Sequence, residues 1–279
     1  MTDLPDAGIG VIGGSGLYSF LADVTEVMVE TPYGPPSDAL LIGEYSGRTV
    51  AFLPRHGRTH CVPPHRINYR ANLWALHSVG VRQILAPCAV GGLRPELGPG
   101  TLVIPDQVVD RTHGREHTFY DGRRRSDGAV PRVVHVPMAD PYCPVGRETT
   151  LAAARAEGWE PREDGTLVVI QGGPRFSTRA ESRWYSAAGG SIVGMTGQPE
   201  ASLARELGIC YTSIALVTDL DAGVEAGEGV TQDEVLRVFS DNIDRLRPVL
   251  FSAVKRLSRR RSCPCSHALD GVETGIGVS

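Results

Sequence analysis

The sequence predicts an α/β protein, a single domain in which helices flank a mixed, largely parallel β-sheet. Short runs rich in Val, Ile and Leu recur along the chain with the length of buried strands, and segments of helical length lie between them. Strands that alternate with helices form a largely parallel sheet that is covered on both faces. Ligands of such folds bind outside the carboxyl ends of the strands, so the segments that follow the strands are the candidates for a site.

Seven apolar runs are predicted as strands because each is short and bounded by Gly, Pro or polar residues. In chain order they span residues 8–13, 49–54, 83–90, 100–109, 165–172, 190–195 and 209–219.

Five segments have the length and composition of helices, and several of them end in glycine, the preferred residue just past a helix end. They span residues 67–80, 143–158, 177–189, 198–208 and 231–257. In the last of them Thr231 is an N-cap candidate, and apolar residues recur at helical spacing as far as Leu257.

Charge and hydropathy exclude several classes of partner. The net charge of −4 gives no general attraction to nucleic acid or to a membrane surface, and the one basic run, at 256–261, is short. No apolar run approaches the ~20 residues of a membrane-spanning helix, and the first residues lack the basic and apolar regions of a signal peptide. We therefore expect a cytoplasmic protein that binds neither nucleic acid nor membrane.

Six cysteines are scattered along the chain, and only Cys263 and Cys265 form a close pair. Such a CxC unit fits a redox clip or half of a zinc site, but no second Cys or His pair stands at metal spacing, and His267 is the sole additional candidate ligand. We therefore expect a mobile terminal tail with incidental thiols and no bound metal.

Glycines crowd the start of the chain, where Gly8, Gly10 and Gly13 formally match GxGxxG. A dinucleotide-binding fingerprint needs a strand before its first glycine, whereas here the strand lies inside the motif. The alternative interpretation is a strand followed by the loop 13–16, whose amides and Ser15 hydroxyl suit a small tetrahedral anion. A simple tight turn explains this stretch nearly as well.

Polar and aromatic residues follow several predicted strands. Arg55 and His56 come directly after 49–54, and an arginine offers the planar donor fork that fits phosphate. At later strand ends stand the pairs Phe176 with Ser177, Met195 with Thr196, and Asp219 with Asp221. A flat ring could stack on the phenylalanine, and two close carboxylates cost free energy unless they bind something or face solvent. The plain alternatives are a solvated surface position for Arg55 and His56 and a helix cap or turn for Asp219 and Asp221.

Taken together, VIGGSGL, PRHGRTH, GGLRPELGPG, HVPMADPYCP, GPRFSTRAES, GMTGQPE and TDLDAG resemble the methylthioadenosine phosphorylase branch of the trimeric purine nucleoside phosphorylases. The resemblance covers nearly the whole chain in the order of the family. It implies one phosphorylase domain over 1–257 with a tail over 258–279, and phosphorolysis of a purine nucleoside without a metal or an organic cofactor. It also implies a trimer or a dimer of trimers, with His135 reaching into the site of a neighbouring subunit.

The resemblance carries roles onto individual positions. Phosphate binding falls to Ser15, Arg55, His56, Cys88, Ala89 and Thr196. The base and sugar would contact Phe176, Ser177, Met195, Asp219 and Asp221, and Ser177, Gln232, Val235 and Leu236 would set specificity. Asp219 is the catalytic candidate. To donate a proton to purine N7 its pKa must rise well above the ordinary ~3.9, as in an apolar pocket or beside Asp221.

Specificity follows from two of these positions. Paired aspartates accept hydrogen bonds from an exocyclic amine, so adenosine-type nucleosides are favoured over inosine. Gln232 stands where relatives specific for the methylthio group usually have a small apolar residue, which favours a 5′-hydroxyl over a thioether. Cys88, Gly172 and Gly197 also depart from the family pattern. A strict methylthioadenosine phosphorylase, a 6-oxopurine phosphorylase, a nucleoside hydrolase, a nicotinamide oxidoreductase and a non-catalytic nucleoside-binding protein remain the alternatives.

Overall fold

Helices cover both faces of one sheet in the computed structural model, and the described part of the chain gives that sheet ten strands. The model describes residues 6–277 apart from 15–16, 18–20, 22, 174, 223 and 225–228. In chain order the strands are β1 (Ile9–Gly13), β2 (Thr25–Val27), β3 (Leu40–Tyr45), β4 (Arg48–Pro54), β5 (Gln83–Gly92), β6 (Leu102–Val103), β7 (Gln107–Arg111), β8 (Thr166–Ile170), β9 (Ile192–Gly194) and β10 (Cys210–Leu220).

Within the described residues, five α-helices alternate with these strands, as the sequence predicts. They are α1 (Tyr69–Ser78), α2 (Pro144–Ala156), α3 (Arg179–Ala187), α4 (Gly197–Glu206) and α5 (Gln232–Arg256). Thr231 caps α5 by accepting a hydrogen bond from the Glu234 amide at 3.3 Å, and Leu257 follows its last turn. Both predicted ends of this helix are confirmed.

The sheet contains two parallel groups of strands that meet in an antiparallel pairing. In one group β4, β1, β5 and β10 are parallel neighbours, and in the other β7, β8 and β9 are. The groups join where Gly91 and Gly92 of β5 pair antiparallel with β9. The sheet is therefore mixed and largely parallel, and the prediction of the fold class is confirmed.

Apolar side chains pack on both faces of this sheet and form the core. Helices α1 and α4 bury Leu73, Leu76 and Leu203 on one face. Helices α2 and α5 bury Leu151 and a long apolar stripe of α5 on the other. Among the described residues, none of the helices has the combined length and apolar character that crossing a bilayer requires.

The strand prediction differs from the structure in two places. Strands β2 and β3 lie outside the predicted set. Strand β2 has only three residues and none of them is buried, whereas β3 has a buried apolar start, LLIG, that the prediction missed. The run 100–109 forms two strands because Ile104, Pro105 and Asp106 separate β6 from β7, and a proline cannot donate a ladder hydrogen bond.

The expectation of a mobile tail is wrong for its described part, residues 258–277. The side chains of Cys263, Cys265 and Ile276 are buried. Backbone hydrogen bonds fix the segment as well, because the Arg132 amide donates to the carbonyl of Thr274 at 3.1 Å. The tail is packed against the domain since its apolar residues find partners there.

Candidate active site

A cavity of about 620 Å³ lies where β5 meets β9, and it is closed on one side by the start of α5. Its volume is that of a site for a small organic molecule. The predicted site residues that line it are Arg55, His56, Cys88, Ala89, Phe176, Ser177, Met195, Thr196, Asp219, Asp221, Gln232, Val235 and Leu236. These are all the predicted site residues that the structure describes. Ser15 lies outside the described residues, although its neighbour Gly14 lines the cavity.

Arg55 is a buried cation held rigidly at one end of the cavity. Its Nε and one terminal nitrogen donate to the two carboxylate oxygens of Glu200 at 2.6 and 3.1 Å, and the other terminal nitrogen donates to the Pro87 carbonyl at 3.0 Å. Burial alone would lower the pKa of Arg55, but the charge and hydrogen bonds of Glu200 raise it above its usual value. Among the described residues, these bonds use three of its five N–H groups, so two can serve an anion.

The Tyr211 hydroxyl donates a hydrogen bond to Glu200 Oε2 at 2.7 Å and so holds the Glu200 carboxylate in position. Neither Glu200 nor Tyr211 belongs to the predicted site. Glu200 lies within the quoted motif GMTGQPE, but only the fold shows that α4 delivers its carboxylate to a side chain 145 residues earlier. The sequence around Tyr211 carries no signal for this contact.

His56 is buried beside Arg55 as a neutral imidazole. Burial and then the charge of Arg55 lower its pKa to about 4. Its Nδ1 lies 2.8 Å from the Val62 carbonyl. A carbonyl oxygen can only accept, so the proton is on Nδ1, and the other ring nitrogen is an acceptor for a ligand.

Hydroxyl and thiol groups complete this end of the cavity. Thr196 precedes α4 and, within the described part of the chain, makes no capping hydrogen bond with its side chain. Burial raises the pKa of the Cys88 thiol, which therefore stays protonated and can act as a weak donor. The arrangement of one cation and several neutral donors suits a small oxyanion.

Asp219 stands near the end of β10, with its side chain 6% exposed. Burial raises its pKa to about 6, the neighbouring Asp221 and Glu234 add to the increase, and a 2.8 Å hydrogen bond from the Thr218 hydroxyl opposes it. Gly91 makes room for this carboxyl, because a Cβ at that position would lie 2.9 Å from Asp219 Oδ1. A carboxyl with this pKa is poised to exchange a proton near neutrality.

Asp221 lies two residues further on and is oriented from α3. The hydroxyl of Ser182 donates to its Oδ2, and its own amide donates to the Gly92 carbonyl at 2.9 Å. Both carboxyls therefore keep defined positions on the same wall of the cavity.

Phe176, Ser177 and Met195 form another part of the cavity wall. The buried Ser177 hydroxyl finds no hydrogen-bond partner among the described residues, and neither does the buried Nδ1 of His65 nearby. Such groups cost free energy unless a ligand or water satisfies them. Gly172 has φ +64°, and a Cβ there would lie 2.6 Å from the Met195 side chain. A side chain at position 172 would therefore clash with Met195 in this structure.

The first turns of α5 present one face to the cavity. Gln232, Val235, Leu236 and Phe239 are spaced by three or four residues and all line it. Leu236 is 41% exposed, although it is apolar. The helix therefore offers an apolar edge and one amide to whatever occupies this part of the cavity.

Arg115 organises the site without lining it, and the sequence analysis missed it. It is buried and donates to the carbonyls of Gln171 and Met195 at 2.7 and 2.9 Å and to the Tyr69 hydroxyl at 3.0 Å. These carbonyls follow β8 and β9, so Arg115 holds the two strand ends together. His135 is exposed and does not line the cavity.

Comparisons with known proteins agree with this geometry. A family model described as the phosphorylase superfamily matches residues 8–255. A purine nucleoside phosphorylase of Streptomyces coelicolor is 67% identical over 280 residues, which covers all of both chains. An S-methyl-5′-thioadenosine phosphorylase of Mycolicibacterium smegmatis is 52% identical, over 95% of this chain and 97% of that one. The solved structure of methylthioadenosine phosphorylase from Schistosoma mansoni with adenine is 41% identical, with a TM-score of 0.83 over 89% of this chain and 91% of that one.

Proposed function

The chain belongs to the phosphorylase superfamily, and we propose that it is a purine nucleoside phosphorylase whose best substrates are 6-aminopurine nucleosides. It is a pentosyltransferase of the kind named in its relatives. Phosphate replaces the purine at the anomeric carbon, giving the free base and a pentose 1-phosphate. The observation that carries this function is the presence, in one cavity, of a rigid oxyanion end and a carboxyl whose pKa is near 6.

Phosphate would bind at the Arg55 end. Arg55 supplies a permanent charge and two N–H groups, and Thr196 and Cys88 supply neutral donors. The acceptor nitrogen of neutral His56 suits the hydroxyl of hydrogen phosphate. Ala89 and the Gly14 loop, with Ser15, would add backbone amides. This set orients the nucleophile and also places a counter-charge beneath the sugar as positive charge develops there.

Asp219 would assist departure of the base. Cleavage leaves negative charge on the purine, which is relieved when a proton is donated to N7. With a pKa of about 6, roughly a tenth of Asp219 is protonated at pH 7, and exclusion of water by a bound substrate would raise that fraction. Neutral Asp219 can donate, while Asp221, fixed by Ser182, can accept from the exocyclic amine of adenine.

The walls of the cavity support the remaining assignments. Phe176 and Met195 would flank the base and sugar, and the unsatisfied Ser177 hydroxyl would gain a partner on the base. Gln232 would face the 5′ position beside Val235 and Leu236. An amide against a thioether loses hydrogen bonds with water, at about 1–3 kcal/mol, so adenosine should be used at least as well as methylthioadenosine.

The experiment is to measure base release from adenosine, methylthioadenosine and inosine, each with and without phosphate. We expect release that depends on phosphate, with adenosine ahead of inosine. A preference for inosine would overturn the roles of Asp219 and Asp221. Equal release without phosphate would instead indicate a hydrolase, which binds no phosphate at the buried Arg55 end.

Assembly into a trimer or a dimer of trimers is part of the proposal. His135, expected at a neighbouring site, is exposed and lies two residues from Val133, an apolar side chain that is 84% exposed. Val130 in the same segment is also exposed, at 45%, and two exposed valines so close together suit contact with another copy. Light scattering on the purified protein tests the assembly, and a His135→Ala variant with unchanged kinetics would remove that residue from the site.

The proposed reaction uses no organic cofactor and no metal, because phosphate provides the nucleophile and Asp219 the proton. A cytoplasmic location also remains a prediction from the sequence. Fractionation of the producing cells tests it.

A further inference from the structure

Four cysteine side chains meet in the interior of the protein, away from the cavity. Cys143 precedes α2, Cys210 is the first residue of β10, and Cys263 and Cys265 belong to the tail. All four are buried free thiols, and their sulfur atoms lie within 4.8 Å of one another. Cys210 and Asp219 lie near opposite ends of the same strand, about 30 Å apart at ~3.3 Å per residue. The cluster is therefore separate from the chemistry of Asp219.

We propose that these four cysteines bind one zinc ion, which fastens the tail to the sheet. Tetrahedral zinc with Zn–S bonds of about 2.3 Å places its four sulfur atoms about 3.8 Å apart. Here the Cys210 and Cys263 sulfurs are 3.2 Å apart, and the widest separation in the cluster is 4.8 Å. Small rotations of the side chains bring such a set to the required spacing. With four protein ligands no coordination position stays open, so the site is structural.

Two neighbouring groups suit a cluster of thiolates. The positive charge of Arg205 acts on Cys265. The Gly146 amide donates to the Cys143 sulfur at 3.4 Å. Amide donors and a nearby cation offset the net negative charge of an ion that is bound by four thiolates.

The pattern of distances favours one ion over two disulfides. A disulfide requires only two sulfurs to approach each other, at about 2.05 Å, and places no demand on the other pair. In this cluster every sulfur is close to all three others, which is the condition for a common centre. Iron also binds four thiolates, but the cluster is buried and redox-inert zinc is the usual occupant of an isolated set of four cysteines.

This inference replaces the expectation that the chain binds no metal. That expectation rested on the absence of a second pair of ligands near Cys263 and Cys265 in the sequence. The fold supplies the second pair as Cys143 and Cys210, which are 53 residues or more away. His267, the additional candidate, is exposed, and its Nδ1 contacts Asp270 at 2.7 Å. It takes no part in the cluster.

Binding the ion would close two long loops of the chain and secure the tail. The tail also receives a hydrogen bond from the Gln83 side chain, which donates to the Ser258 carbonyl at 2.9 Å. A buried structural zinc adds directly to folding stability, since the unfolded chain does not hold the four ligands together. Removal of zinc should therefore release 258–277 before the rest of the domain unfolds.

The test is the zinc content of the intact protein, purified with a thiol reductant and without chelators. Elemental analysis by mass spectrometry should give about one zinc per chain. Titration with a mercurial in the presence of a zinc indicator should release that zinc as four thiols react. Cobalt(II) in its place should give the intense visible bands of tetrahedral thiolate ligation.

The variant C263S/C265S should lose about nine-tenths or more of the zinc. Cys61→Ser, which changes an exposed cysteine outside the cluster, should retain it. The wild-type measurement stands even if the double variant does not fold. The proposal is overturned if the wild-type chain contains no zinc, even after zinc is added, and the unfolded chain has all six of its cysteines titratable as free thiols. A mass lighter by four hydrogen atoms would overturn it in favour of two disulfides.

Discussion

The substitution Asp219→Asn should make the enzyme more stable and much less active, because it removes a buried carboxyl group that is costly to ionise and that donates the proton. The carboxyl of Asp219 is 6% exposed, and burial raises its pKa from 3.8 to about 6. At 1.36 kcal/mol for each pH unit, ionising it in the folded protein costs about 3 kcal/mol more than in the unfolded chain. Asparagine has nearly the same shape and no charge, and it can still accept from Thr218.

The sign of the pH dependence follows from linkage. Because the folded pKa lies above the unfolded pKa, the folded state holds more protons than the unfolded state between pH ~4 and ~6. The contribution of Asp219 to stability is therefore complete below pH ~4 and is lost as the pH rises through ~6. The variant should match the wild type near pH 4 and exceed it by up to about 3 kcal/mol above pH ~7.

The assay is urea unfolding of both proteins at one chain concentration across this pH range, together with turnover of adenosine at saturating phosphate. Turnover should fall by about 10²- to 10⁴-fold, since an amide cannot transfer a proton to N7. Asp164→Asn, at an exposed position, is the matched control and should change neither quantity. A stability difference that does not vary with pH, or a variant with unchanged turnover, would refute the reasoning.

Three further substitutions test other parts of the site. Glu200→Gln breaks the buried pair with Arg55, so the free energy of unfolding should fall by about 3–5 kcal/mol. KM for phosphate should rise more than KM for nucleoside, and equal changes in the two constants would contradict this. Gln232→Val should raise kcat/KM for methylthioadenosine relative to adenosine by about 5- to 100-fold, and an unaltered ratio would place the amide outside the pocket. Gly172→Ala should raise KM for nucleoside and lower the free energy of unfolding by about 1–2 kcal/mol. The control is Gly158→Ala, which should show only the stability loss because Gly158 also has positive φ but has open space around it.

Much of the cavity could be predicted because its residues follow strands and are close in sequence to one another. Arg55 with His56, Met195 with Thr196, and Asp219 with Asp221 are each such pairs, and all of them line the cavity. Arg55 with His56 and Asp219 with Asp221 lie at the ends of β4 and β10, which belong to one parallel group, so local patterns were sufficient to predict that they meet. Met195 with Thr196 follows β9, which runs antiparallel to β5, so only the fold shows that this pair joins them.

The supporting contacts could not be predicted, because they join residues that are distant along the chain. Glu200 reaches Arg55 across 145 residues, and Arg115 reaches Met195 across 80. Neither contact has a local pattern of hydrophobicity or spacing. The cysteine cluster was missed for the same reason, since Cys143 and Cys210 look like ordinary buried residues until the tail is placed beside them.

The central claim is that phosphate attacks the sugar while a purine departs, and phosphorus NMR of the reaction with adenosine tests it most directly. The claim predicts a new pentose 1-phosphate resonance that grows as inorganic phosphate declines, in step with the adenine released. Release of adenine with an unchanged phosphate signal and free pentose would contradict it, whatever the rate.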